Sequence, residues 1–169
     1  MDPLKAGAVA AAVGVRATGA GFGISSYVNT PYSLDSFLST KDGEAKKNDY
    51  EGKLGGLKGN GKLFVANIES NKWWWEKRFE ETKNQNGDKS TEFTGLTTYS
   101  SDTSSQKAIN KVCDEAYKAD NTKFGTDDSS AANTTKYKVD IAKYCTFSGN
   151  GSGITWLPVA TQSTVVAGG

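Results

Sequence analysis

The hydrophobic and polar positions of this chain fall into three regimes. Residues 4–28 are dominated by Ala, Gly, Val, Phe and Ile, with Lys5 and Arg16 as the only charges. About 20 apolar residues cross a bilayer as a helix, so residues 1–28 read as an N-terminal membrane anchor. Arg16 opposes insertion by roughly 2.5–3.5 kcal/mol at a helix centre. Gly7, Gly14, Gly19, Gly21 and Gly23 weaken helix propensity while allowing close packing on a partner. A cleaved export signal competes with this reading, although Asp2 spoils its basic start and residues 17–20 match a small-x-small cleavage site loosely. A buried Gly/Ala hairpin is the third possibility.

The second regime, residues 29–147, alternates helical periodicity with polar connections. Pro31 closes the apolar segment, and Ser33 is placed to cap a short helix carrying Leu34, Phe37 and Leu38. Residues 42–60, rich in Lys and Gly, read as loop or broken helix. Residues 63–83 carry the longest helical pattern, with Phe64, Ile68, Trp75 and Phe79 near one face. Asn86-Gly87 marks a turn. The Ser/Thr-rich stretch 90–105 reads as loop, with a short extended piece at 92–99. Ser104 or Ser105 is expected to cap the next helix, in which Ile109, Val112, Cys113, Ala116 and Tyr117 form an i, i+3, i+4, i+7, i+8 stripe. A last helix over 134–145 places Tyr137, Ile141, Tyr144 and Cys145 on one face.

The third regime, 148–169, opens with a Gly/Ser stretch that composition reads as a flexible linker. A Thr/Val-rich tail with Trp156 and Pro158 follows, as a strand or an arm. The expected fold is therefore mainly α: a small bundle of three or four helices, an N-terminal hydrophobic membrane segment and an irregular C-terminal tail.

Cys113 and Cys145 lie on the apolar stripes of two helices that a connection of this length makes antiparallel neighbours. A disulfide between them needs Cα atoms within about 7 Å, and an exported domain would allow it to form. A small polar-rich domain gains from such a staple. The alternative is two buried free thiols acting as small hydrophobes.

Composition narrows the chemistry further. The chain has 169 residues, a hydrophobic fraction of 36%, a net charge of +1 and no histidine. The balanced charge argues against a nucleic-acid binder. The missing histidine removes the commonest general base at neutral pH and the commonest metal ligand. Residues 56–62 (Gly-Leu-Lys-Gly-Asn-Gly-Lys) match G-x-x-x-x-G-K. Leu63 then stands where a P-loop needs a hydroxyl for magnesium, and no hydrophobic strand precedes the stretch. Residues 19–23 are not a dinucleotide fingerprint, because the third glycine is misplaced. The carboxylates Asp114, Glu115, Asp127 and Asp128 read as solvated faces. No catalytic residue, metal ligand or cofactor site is expected.

Trp73, Trp74 and Trp75 are the most unusual local feature. Successive helical residues point about 100° apart, so the three cannot share one core face. They form either an aromatic contact for a partner or membrane interface, or part of a centrally buried helix from which Trp74 reaches out at an edge.

The pattern Ala108-x-x-x-x-Cys113 through Tyr117, with Tyr137 and Ala142-Lys143-Tyr144-Cys145-Thr146, resembles the C-terminal block of a large paralogous protein family of haemotropic mycoplasmas. Those proteins also open with a short Gly/Ala-rich hydrophobic segment and carry a helix ending in an aromatic-Cys-Thr signature. Tyr144 stands where Trp is common, and the triple Trp and the long tail depart from the pattern. The likeness covers about half the chain. It implies a membrane-associated, surface-exposed protein of uncharacterised activity, with no catalytic residues to transfer. The sequons at Asn133 and Asn150 would go unused in such a source, and some Trp codons would be UGA. The expected function is thus a membrane-anchored interaction or antigenic protein, its body extracellular and its partners host proteins. The alternative is a small nucleotide-binding enzyme using residues 56–62.

Overall fold

The computed structural model describes residues 30–85, 87–125 and 131–158. Their α-helices are α1 (Leu34–Leu38), α2 (Lys41–Glu44), α3 (Lys72–Thr82), α4 (Ile109–Tyr117) and α5 (Ala131–Cys145). Single 3-10 turns and loops connect them. The described residues hold no β-strand, only isolated bridges between loops, so the body is mainly helical. None of the described helices is long and apolar enough to cross a membrane. The expected anchor at 1–28 lies outside the described residues.

Local chemistry starts the two short helices, for α1 as the sequence suggests. Ser33 is extended and its hydroxyl accepts the Ser36 N–H at 3.0 Å, which opens α1. Thr40 does the same for α2 through Gly43 N–H at 3.1 Å. α4 departs from expectation. Its N-cap is Ala108, with no side-chain cap, while Ser104 instead donates to Asp102. The first N–H of α4 is satisfied by tertiary pairing: Ile109 N–H donates to the Thr97 carbonyl at 3.0 Å. The proposed extended piece over 92–99 reduces to this one bridge, because residues 91–95 are turns.

The helix expected over 63–83 is confined to Lys72–Thr82. Residues 64–66 are extended and buried instead. Leu34 N–H donates to the Phe64 carbonyl at 2.8 Å, Val65 N–H to the Cys145 carbonyl at 3.1 Å, and Ala66 N–H to the Tyr32 carbonyl at 3.0 Å. Phe64 N–H still makes one i to i−4 bond, to the Asn60 carbonyl at 3.1 Å, but the N–H groups of Val65 and Ala66 are spent on other segments, so no helix continues from there. The i, i+4 spacing of Phe64 and Ile68 therefore belongs to a central extended segment, not to a helix face.

α3, α4 and α5 pack on one another around this segment. All five residues of the α4 stripe are buried, as are Tyr137, Ile141, Tyr144 and Cys145 of α5. Phe64 stacks on Tyr117 at 4.5 Å between centroids. A second aromatic run passes from Tyr144 to Phe93 (5.2 Å), Tyr137 (5.9 Å), Phe124 (5.6 Å) and Trp156 (5.4 Å). Phe93, fully buried, comes from the Ser/Thr-rich stretch that composition reads as loop.

The segment after α5 differs from a free linker up to residue 158. Gly149, Gly151 and Gly153 have positive φ and turn the chain back. The Asn60 carboxamide then clamps Thr155: Thr155 N–H donates to Oδ1 at 2.8 Å, while Nδ2 donates to Thr155 O and Leu54 O at 2.7 Å each. Asn60 is fully buried, so these bonds form away from competing water.

Candidate functional site

The paired cysteines form the first candidate feature. Cys113 in α4 and Cys145 at the end of α5 are joined by a disulfide, with Cα atoms 5.4 Å apart and both residues fully buried. The helical stripes face each other as their spacing predicts, and the bridge falls where they meet. The Tyr117 hydroxyl, one turn beyond Cys113, reaches the carbonyls of Cys145 (2.9 Å) and Val65 (3.1 Å). Burial raises that phenol well above its ordinary value, so it stays a neutral donor. A disulfide so enclosed has no access for an exchanging thiol and acts as a staple.

The tryptophans separate by role. Trp75 is fully buried and its indole N–H donates to Ala66 O at 3.2 Å. Trp74, expected at an exposed edge, is 8% exposed, and Trp73 is the outward one at 36%. The reason is Arg78, one turn on, whose guanidinium covers the Trp74 ring at 4.6 Å. Arg78 Nη1 donates to Lys143 O (2.6 Å), and Nη2 donates to Thr146 O (3.1 Å) and Phe147 O (3.0 Å). Arg78 thus satisfies carbonyls at the C-terminus of α5 that the helix leaves unpaired. Burial lowers its pKa from the usual value. Trp73 shares the outer face of α3 with Glu76, Lys77 and Glu80, all exposed, so it is a single aromatic in a charged field.

The glycine-rich stretch forms the third feature. Leu54–Gly56 and Asn60–Lys62 are single 3-10 turns, and Leu63 leads into the extended segment. A P-loop needs an α-helix N-terminus at this place, and none follows here. The N–H groups of Gly56, Leu57, Asn60 and Lys62 are spent on local turns. Gly56 is glycine for packing, since a Cβ there would lie 2.2 Å from the Tyr50 carbonyl oxygen. The stretch nonetheless borders a hollow of about 380 Å³, lined also by Asp35, Ser39, Lys47, Tyr50 and Glu51. Tyr50 is turned from it at its tip: the hydroxyl donates to Asp114 Oδ1 at 2.7 Å, and Lys118 holds the other carboxylate oxygen at 2.8 Å. Burial, then Asp114, raises the Tyr50 pKa. Asp35, Ser39 and Glu51 join the glycines only through the fold, and no local sequence signal marks them.

No group of three Cys, Asp or Glu residues able to hold a metal occurs among the described residues. No protein-family model, curated protein or solved structure matches this chain.

Proposed function

We propose that this is a membrane-anchored protein that displays a disulfide-stapled helical body outside the cell, as an interaction or antigenic module. The observation that carries the reading is the enclosed Cys113–Cys145 bridge. Disulfides persist in oxidising compartments and are rare in reducing ones, so a body built around one is suited to export. The apolar pattern of residues 4–28 supports an anchor preceding it. The likeness of the cysteine helices to the paralogous proteins of haemotropic mycoplasmas points the same way. On this reading the partners are host proteins, met by exposed polar loops and by the face around Trp73.

Labelling of intact cells with a membrane-impermeant amine reagent tests it. The exposed Lys58, Lys62, Lys72 and Lys77 should be modified without lysis, in a chain that fractionates with membranes. Modification only after lysis would overturn the proposal.

A further inference from the structure

The hollow beside residues 56–62 has a chemistry that display alone does not use. Lys58 and Lys62 both line it, and neither has an ion-pair partner among the described residues. Three further donors stand in the same wall. The backbone N–H groups of Lys58, Gly59 and Gly61 find no acceptor among the described residues, while their neighbours' N–H groups are consumed in turns. Gly59 is left-handed, with φ +90°, and closes the turn in which Asn60 N–H donates to the Leu57 carbonyl at 3.0 Å. The volume of about 380 Å³ lies in the range of small-molecule sites.

Asp35 and Glu51 line the hollow as well, as does Lys47, which is already paired with Glu44 at 3.7 Å. Asp35 sits in the first turn of α1. Glu51 is exposed and without an ion-pair partner among the described residues. Cations with N–H donors suit a tetrahedral oxyanion. Carboxylates beside them repel any ligand that carries several negative groups.

We propose that this hollow binds a single phosphate monoester, the phosphate held by Lys58, Lys62 and the N–H groups of Lys58, Gly59 and Gly61, with an uncharged or amine-bearing remainder toward Glu51. Nucleoside triphosphates are excluded by charge. The monoester is either a free metabolite or the headgroup of a lipid.

Calorimetric titration of the full chain in detergent with glycerol 3-phosphate, a short-chain phosphatidate and ATP tests the site. Saturable binding of the first two and none of ATP is expected, and the tighter of the two identifies the source. The K58Q/K62Q variant should weaken binding about tenfold or more, because each removes a charge-assisted contact. K77Q/K83Q, on α3 and at its C-cap, should leave it unchanged. These are exposed lysines, and the melting temperature of each variant verifies folding. Absence of saturable binding to either monoester, equal binding of ATP, or binding indifferent to K58Q/K62Q would each overturn the proposal.

Discussion

Reduction of the Cys113–Cys145 bridge is the perturbation whose size follows most directly from the structure. The two residues are 32 apart in sequence. In the chain-entropy model, closing a loop of that length removes about 12.5 cal/mol/K from the unfolded chain, or ~3.7 kcal/mol at 25 °C. Folded domains of this size hold about 5–15 kcal/mol in total, so loss of the bridge removes a large share. The midpoint of thermal unfolding should fall by about 10–20 °C. The assay is urea unfolding of oxidised and reduced protein, followed by Trp fluorescence. The reduced protein should show a lower midpoint and an equal or steeper denaturant slope, since its unfolded chain is less compact. The thiols would remain buried in the folded state, so native contacts change little. A difference below about 1 kcal/mol would mean that the bridge constrains nothing that the unfolded chain is otherwise free to explore.

Other perturbations separate the remaining contacts. Arg78→Ala should cost about 2–4 kcal/mol in urea unfolding, since it strands three carbonyls and uncovers Trp74; Arg78→Lys should recover only part. Asn60→Ala should cost about 2–3 kcal/mol and speed hydrogen exchange of the Thr155 amide, which loses its acceptor. Trp75→Ala should cost about 3–5 kcal/mol, whereas Trp73→Ala should stay within about 0.5 kcal/mol in the same assay. The Asp140 carboxyl is raised above its ordinary 3.8 by burial, against the Ser90 N–H that it accepts. Its neutral form is thus favoured in the fold. This contribution to stability is present below pH 3.8 and is lost as pH rises through the folded-state value. The Asp140→Asn variant should therefore gain on the wild type in melting temperature as pH rises, and a gap that is flat or shrinking would refute this.

Much of the helical framework was legible because its signals are local. Ser33 caps α1 through a neighbour three residues on, and the stripes of α4 and α5 follow helical periodicity. The cysteine pairing follows from the same stripes. What was illegible depends on partners distant in sequence. Phe64 and Ile68 have helical spacing, yet Phe64 and Val65 bond to Leu34 and Cys145. Ala108 starts a helix without a cap because Thr97 supplies the acceptor. Phe93 is buried from a polar stretch because Tyr137 and Tyr144 close on it. Which tryptophan faces outward is not readable locally, because the shielding of Trp74 depends on Arg78 reaching the end of α5, far along the chain. Asp35 and Glu51 reach the glycine-walled hollow by the same kind of long-range folding.

Display outside the cell requires that the Cys113–Cys145 bridge be oxidised where the protein works. Its most direct test is the thiol state in intact cells, quenched in acid and alkylated under denaturing conditions with one mass tag before reduction and a second after it. The second tag is expected on both cysteines, in chains whose lysines were also labelled from outside. The first tag on both Cys113 and Cys145 would contradict it.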